Sequence, residues 1–146
     1  MVVKTRAILE RLQALDGYIR LLQPYRERDI RRLTEDQIQY HGVLRCLQLA
    51  AQAVMDVSTH LQVELEWERV ADYKEAILSL GKHGVLPTEF AERISGLAGF
   101  RNILVHEYLT VDPLKVHQAL QDGLKDLKAF IVYITDFMRR EGYLEE

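Results

Sequence analysis

The chain has 146 residues, of which 48% are hydrophobic and 28% charged, so we expect a single helical domain over residues 1–146 with a sizeable core. Three prolines, eight glycines and abundant Leu, Ala, Glu, Lys and Arg favour helices over strands. The net charge of −3 excludes nucleic-acid binding by overall charge alone, and the lone Cys46, expected to be a buried thiol, excludes an internal disulfide and a cysteine-based metal cluster.

Apolar residues at helical spacing predict two helices in the first part of the chain. The first helix ends near Pro24 and has the stripe Ile8, Leu12, Leu15, Ile19 and Leu22. Thr34 and Gln37 predict a capping box ahead of a long second helix. The stripe of that helix is Tyr40, Leu44, Leu47, Ala51, Val54, Ser58 and Leu61.

Three further helices follow. A short third helix is expected over about residues 70–80, ended by Gly81 or Gly84, with Pro87 in the first turn of the fourth. The fourth helix has the stripe Phe90, Ile94, Leu97, Phe100, Ile103 and Leu104. Asp112 and Pro113 start the fifth, whose stripe is Val116, Leu120, Leu124, Leu127, Ile131, Ile134 and Met138. Because no two-residue alternation appears, we predict an all-α fold, an antiparallel bundle of four to five helices.

Polar residues cluster at the end of the fourth helix, in the stretch RNILVHEYLTVDP. On a continuous helix Arg101 and Tyr108 are nearly eclipsed, Asn102 and His106 share a side, and all four fall within an arc of about 160°. Imidazole can transfer a proton near neutral pH, guanidinium can bind a phosphate with two hydrogen bonds, and an amide can orient an oxygen. These groups suit an RNA phosphodiester, because RNA supplies the 2′-hydroxyl nucleophile and its cleavage then needs no metal.

The same residues also have a purely structural interpretation. Histidine and arginine at a helix end often cap carbonyl groups or pair with a nearby carboxylate, here Glu107. Tyr108 can simply cover the helix end. Spacing alone therefore leaves both interpretations open.

The stretch resembles the Arg-x4-His-x-Tyr signature of the HEPN superfamily, with Arg101, His106 and Tyr108 in place and Asn102 as the polar residue after the arginine. The segment from DYKEAILSLGKHG to LKDLKAF is similar to the carboxy-terminal half of HepT-type toxins, and AAQAVMDVSTHL is similar to their second-helix segment. The resemblance covers roughly residues 5–138. It implies a HEPN-like helical homodimer with endoribonuclease activity, the toxin of a type VII toxin–antitoxin system.

The resemblance also implies roles for individual residues. His106 would transfer protons, Arg101 would hold the scissile phosphate, and Asn102 would support one of them, near a cleft between two subunits. The partner would be an MntA-like nucleotidyltransferase antitoxin that neutralises the toxin by adding AMP to Tyr108. The RNA substrate would be tRNA or mRNA. The alternative is a non-catalytic helical partner or regulatory subunit of a nucleotidyltransferase.

Other features are expected to be structural. The basic run Arg26, Arg28, Arg31 and Arg32 could help to seat RNA, but interleaved acidic residues favour a solvated linker. His60 could lie near the cleft, although core or capping use is favoured, and Trp67 is interpreted as a buried anchor. We expect no metal and no cofactor, because ligand spacings and a glycine-rich phosphate loop are missing. We also expect no membrane segment and a cytoplasmic location.

Overall fold

The computed structural model describes residues 5–144 and is all-α over that range. Eight α-helices follow one another: α1 Thr5–Leu22, α2 Ile30–Glu35, α3 Gln37–Glu64, α4 Tyr73–Lys82, α5 Thr88–Ile94, α6 Leu97–His106, α7 Pro113–Gln118 and α8 Leu124–Arg140. Short 3₁₀ turns lie at Gln23–Tyr25 and Tyr108–Thr110, and a π-helical turn, Ala119–Gly123, joins α7 to α8. The predicted all-α bundle is confirmed.

The central element is α3, which packs against α1, α2, α4, α6 and α8. All seven residues of its predicted stripe are buried, and so are Ala50 and Ala53, which let neighbouring helices approach closely. The predicted stripe of α1 is buried throughout. The predicted fifth helix spans α7, the π-helical turn and α8. Every residue of its predicted stripe is buried except Ile131, which is half-buried, and Phe130 is a fully buried core residue that the stripe omitted. Cys46 is half-buried against this core, and burial raises the pKa of its thiol.

Helix α3 begins differently from the prediction. The expected Thr34–Gln37 capping box is wrong, because the Thr34 hydroxyl donates back to the carbonyl oxygen of Ile30. Asp36 caps α3 instead, and its carboxylate accepts from the backbone N–H groups of Ile38 and Gln39. The preceding α2, capped by Asp29, was not predicted.

The end of α4 fixes the turn into α5. Of the two glycines proposed as terminators, Gly84 has the left-handed φ of +75°, and the N–H groups of Gly84 and Val85 donate to the carbonyls of Gly81 and Leu80. Gly81 lies within α4, where an added Cβ would come within 2.9 Å of the Ala91 Cβ. Gly81 therefore allows α4 and α5 to pack closely.

The predicted fourth helix is two helices. The break lies at Ser95–Gly96, and the Ser95 hydroxyl donates to the carbonyl oxygen of Glu92. Ser–Gly pairs are common sites of kinks, since a serine hydroxyl competes for helical carbonyl groups and glycine tolerates the bend. The kink sets the direction of α6, whose carboxy-terminal half packs on α3 and holds Arg101, Asn102 and His106.

Candidate active site

Arg101 lies on the side of α6 that faces α3, and it is half-buried. Its Nε donates to Oε1 of Gln52 on α3 at 2.9 Å, and its Nη1 donates to Oδ1 of Asn102 at 3.0 Å. These two bonds fix the plane of the guanidinium. The Nη2 group has no acceptor among residues 5–144, so one edge of the guanidinium is available to an anion such as a phosphate.

Gln52 is itself held in place by further polar groups. Its Nε2 donates to Oδ1 of Asp56 at 2.9 Å, one turn further along α3. The other oxygen of Asp56 lies 3.8 Å from the Nε of Arg11 on α1. The arginine is therefore positioned by a chain of contacts that crosses three helices.

His106 is the last residue of α6 and is exposed to solvent. Its ring has no hydrogen-bond partner among residues 5–144, so both ring nitrogens are free to exchange a proton with a bound molecule. Asn102 is also exposed, one turn before His106 on the same side of the helix. Arg101 and Asn102 are thus in direct contact, whereas His106 lies beyond them at the helix end.

Tyr108 does not lie on α6, so its expected eclipsed position with Arg101 is wrong. The helix ends at His106, Glu107 adopts a non-helical conformation with φ −127° and ψ 32°, and Tyr108 begins the following 3₁₀ turn. The tyrosine is 54% exposed. Asp112 then caps α7 by accepting from the N–H of Leu114, with Pro113 in the first turn, as predicted.

The Tyr108 ring forms part of an open groove of about 350 Å³ between α3 and the end of α6. We call it the α3–α6 groove, and its lining residues are His41, Leu44, Arg45, Gln48, Leu104, Val105 and Tyr108.

The sequence interpretation missed Gln52, His41 and Arg45. Polar residues at 41, 45, 48, 52 and 56 recur every three or four positions along α3, which is otherwise apolar on its inner faces. We call these five residues the polar stripe of α3. The spacing is visible in the sequence. The sequence does not show which helix the polar stripe faces, because that depends on how α6 packs against α3.

The other expected features take structural positions. Arg26 pairs with Glu27 and with the backbone carbonyl of Gln121, and Arg28 donates to Gln39, so part of the basic run ties the loop to its neighbours. Trp67 packs against the core and stacks on His83, with ring centroids 4.1 Å apart. His60 is half-buried on α3, and its Nε2 has no partner among the described residues.

Within residues 5–144, no three side chains of histidine, cysteine, aspartate or glutamate come together in a way that could hold a metal ion. None of the helices in that range combines the length and the apolarity needed to cross a bilayer.

Known proteins resemble this chain in sequence and in fold. The tRNA nuclease HepT of Aphanizomenon flos-aquae (strain 2012/KM1/D3) is 34% identical over 94 residues, which is 64% of this chain and 64% of that protein. The chain thus matches somewhat less than two thirds of the length of that relative.

Two solved structures share the fold at low sequence identity. The cytosolic protein of unknown function YutE from Bacillus subtilis has a TM-score of 0.87 at 16% identity, covering 100% of this chain and 99% of its own. The tri-AMPylated Shewanella oneidensis HEPN toxin, solved in complex with its MNT antitoxin, has a TM-score of 0.79 at 20% identity, covering 88% and 96%.

A protein-family model described as ribonuclease HepT-like matches residues 15–134, which is most of the chain and includes every candidate site residue. The HEPN-like bundle and the motif at the end of α6 agree with that match. The chain belongs to the ribonuclease HepT-like family.

Proposed function

We propose that the chain is a metal-independent endoribonuclease and the toxin of a type VII toxin–antitoxin pair. The observation that supports this most directly is the guanidinium of Arg101, held by Gln52 and Asn102 with one edge free, on the same helix as the exposed imidazole of His106. Family membership and the 34% identity to a tRNA nuclease support the same conclusion. We expect the protein in the cytoplasm, where its RNA substrate, tRNA or mRNA, is present.

The proposed reaction uses the substrate's own nucleophile. His106 takes the proton of the ribose 2′-hydroxyl, and the 2′-oxygen bonds to phosphorus while the bond from phosphorus to the 5′-oxygen breaks. The leaving 5′-oxygen takes up a proton from solvent, His106 returns its proton to solvent, and the other fragment ends in a 2′,3′-cyclic phosphate. Arg101 stabilises the charge that builds on the phosphoryl oxygens, and Asn102 keeps the guanidinium in place.

A homodimer would complete the site. Exposed apolar side chains flank the motif and the groove along the chain: Ile38 is 88% exposed one turn before His41, and Leu109, next to Tyr108, is 84% exposed. We propose that these side chains contact the second chain, because large apolar side chains gain free energy when a partner removes them from water. Pairing two chains here would also bring together two copies of Arg101 and His106, so that a chain of net charge −3 still presents positive charge to RNA.

Tyr108 is the proposed regulatory residue. Its exposed phenol can be reached by an MntA-like nucleotidyltransferase antitoxin, which would transfer AMP to the oxygen and release pyrophosphate from ATP. The added phosphate would place negative charge beside the site and repel the anionic substrate.

Expression in a bacterial host tests the proposal. The chain alone should stop growth, and co-expression with its nucleotidyltransferase should restore it. The purified, unmodified chain should cleave RNA in the presence of EDTA. If it forms a complex with the nucleotidyltransferase but leaves tRNA and mRNA intact, the chain is a non-catalytic partner and the proposal is wrong.

A further inference from the structure

The α3–α6 groove is a second polar surface, next to the contact between Arg101 and Gln52. None of its lining residues is acidic, and Arg45, on the polar stripe of α3, is exposed. No residue within 5–144 accepts a hydrogen bond from the Arg45 guanidinium or pairs with its charge. Resting on the endoribonuclease proposal, we propose that this groove is a phosphodiester subsite in which Arg45 binds the RNA phosphate next to the scissile one.

Helix geometry places Arg45 on the same face as the group that holds Arg101. Arg45 and Gln52 are seven residues apart on α3, so they differ by about 20° around the axis and by about 10 Å along it. Gln52 accepts directly from Arg101. Because this offset separates Arg45 from Gln52 along α3, we assign Arg45 to a neighbouring phosphate of the same strand.

The charge of Arg45 is uncompensated, unlike that of Arg93 and Arg26. Arg93 makes two hydrogen bonds to Asp126, and Arg26 pairs with Glu27. The cavity beside the basic run contains two carboxylates, those of Glu35 and Asp36, together with its arginines. An anion gains more from a lone guanidinium in a groove without carboxylates, so the α3–α6 groove suits a phosphate better than the basic run does.

The rings in the groove suit a nucleotide. Tyr108 is 54% exposed and His41 is exposed, so each offers a ring face on which an unpaired base can stack. Leu44 and Val105 supply apolar contact between them. A nucleotide attached to Tyr108 would enter this same groove, which gives AMP addition a direct way to exclude RNA.

The test measures binding of total tRNA to the unmodified chain over a range of salt concentrations. Every protein in this test also carries His106→Ala, which prevents cleavage. Each phosphate contact adds about 0.7–0.9 to the slope of log affinity against log salt. Arg45→Gln should lower the slope by about that amount and weaken binding about tenfold, the worth of one charge-assisted hydrogen bond. Arg45→Lys, which keeps the charge, should retain the slope.

Arg139→Gln is the matched control, because it removes the same charge from the exposed last turn of α8. The end of α8 lies at the end of the bundle opposite to Arg45. The backbone carbonyl of Tyr143, just after α8, accepts from Thr5 at the start of α1. Leu22, at the other end of α1, lines a cavity together with Cys46, which follows Arg45 on α3. An unchanged slope in Arg45→Gln, or an equal loss in Arg139→Gln, overturns the subsite while the ribonuclease proposal stands. If the unmodified chain neither binds nor cleaves tRNA or mRNA, both proposals fail.

Discussion

Arg101 on α6 donates through Nε to Oε1 of Gln52 on α3, 2.9 Å away. The bond joins the helix that holds the motif to the central helix of the bundle. Because Gln52 is in turn bonded to Asp56, the guanidinium cannot rotate freely about its long side chain. The core packing of α3 against α6 thereby fixes the position of the proposed phosphate-binding group, which lies near the surface.

Gln52 is therefore expected to act as a positioning residue. Gln52→Leu should lower kcat for RNA cleavage about tenfold, which corresponds to about 1.4 kcal/mol, because Arg101 would no longer be held in the productive orientation. Gln52→Glu keeps the acceptor oxygen and should retain more activity. The measurement is the cleavage rate of each variant at saturating RNA.

The control for this prediction is Gln13→Leu, the same change at an exposed position of α1. It should leave kcat unchanged. A Gln52→Leu protein that is as active as the wild type would show that Arg101 does not depend on this contact.

Tyr108→Phe separates cleavage from regulation. The variant keeps the ring in the α3–α6 groove but lacks the oxygen that would receive AMP, so RNA cleavage should persist and the nucleotidyltransferase should no longer silence it. Intact-mass measurement after co-expression should show whole AMP units on the wild type and none on the variant. The control variant Tyr73→Phe, which changes another exposed tyrosine, should still carry AMP on Tyr108. AMP found on Tyr108→Phe would move the modification to another residue.

Glu68 gives the bundle an acid-dependent contact. A hydrogen bond from Lys82 is the main cause that lowers the pKa of Glu68 from its ordinary 4.5 to about 2, with smaller contributions from a backbone hydrogen bond, the charge of Lys82 and a hydrogen bond with His83. A lowered folded-state pKa stabilises the fold above pH 4.5, and this stabilisation is lost as the pH falls through 2.

Chemical denaturation of Glu68→Gln and the wild type at several pH values tests that contact. The wild type should have the larger free energy of unfolding at pH 7, by a small amount because Glu68 is exposed. The difference should shrink as the pH falls from 4.5 and disappear below pH 2, as the glutamate becomes protonated. A difference that is the same at pH 7 and pH 2 would contradict the assignment.

Substitution of Phe130 tests the packing of α8 in the hydrophobic core. Its side chain is 0% exposed in α8, so Phe130→Ala should lower the free energy of unfolding by about 3–5 kcal/mol through lost burial and a residual cavity. Val132→Ala, two residues away at a position that is 56% exposed, should change it by less than about 0.5 kcal/mol. Urea denaturation of both variants measures these values, and a Phe130→Ala loss as small as that of Val132→Ala would contradict the assigned packing.

The long helices could be predicted because their burial pattern is periodic. Helices α1 and α8 each bury one face, and the central helix α3 buries most of its surface apart from its polar stripe, so their apolar residues recur at helical spacing. The break at Ser95–Gly96 was not predictable in this way, since the apolar stripe continues across it. The π-helical turn Ala119–Gly123 likewise lies inside a stripe whose spacing looks continuous.

The motif could be found in the sequence, but its surroundings could not. Local residue types identified Arg101, Asn102, His106 and Tyr108 as the candidate site. The contact between Arg101 and Gln52 joins positions 49 residues apart, and it depends on the angle that the Ser95 kink gives α6. Placing Tyr108 beside Arg101 failed because helical geometry was extended two residues past the end of α6.

The most direct test of the proposed chemistry is to map the ends produced from total tRNA by the purified, unmodified chain in EDTA, alongside His106→Ala. We expect 2′,3′-cyclic phosphate and 5′-hydroxyl ends from the wild type, and a rate about 10²–10⁴-fold lower for His106→Ala with unchanged thermal stability. Ends with a 3′-hydroxyl and a 5′-phosphate, or full activity in His106→Ala, would contradict the proposed chemistry.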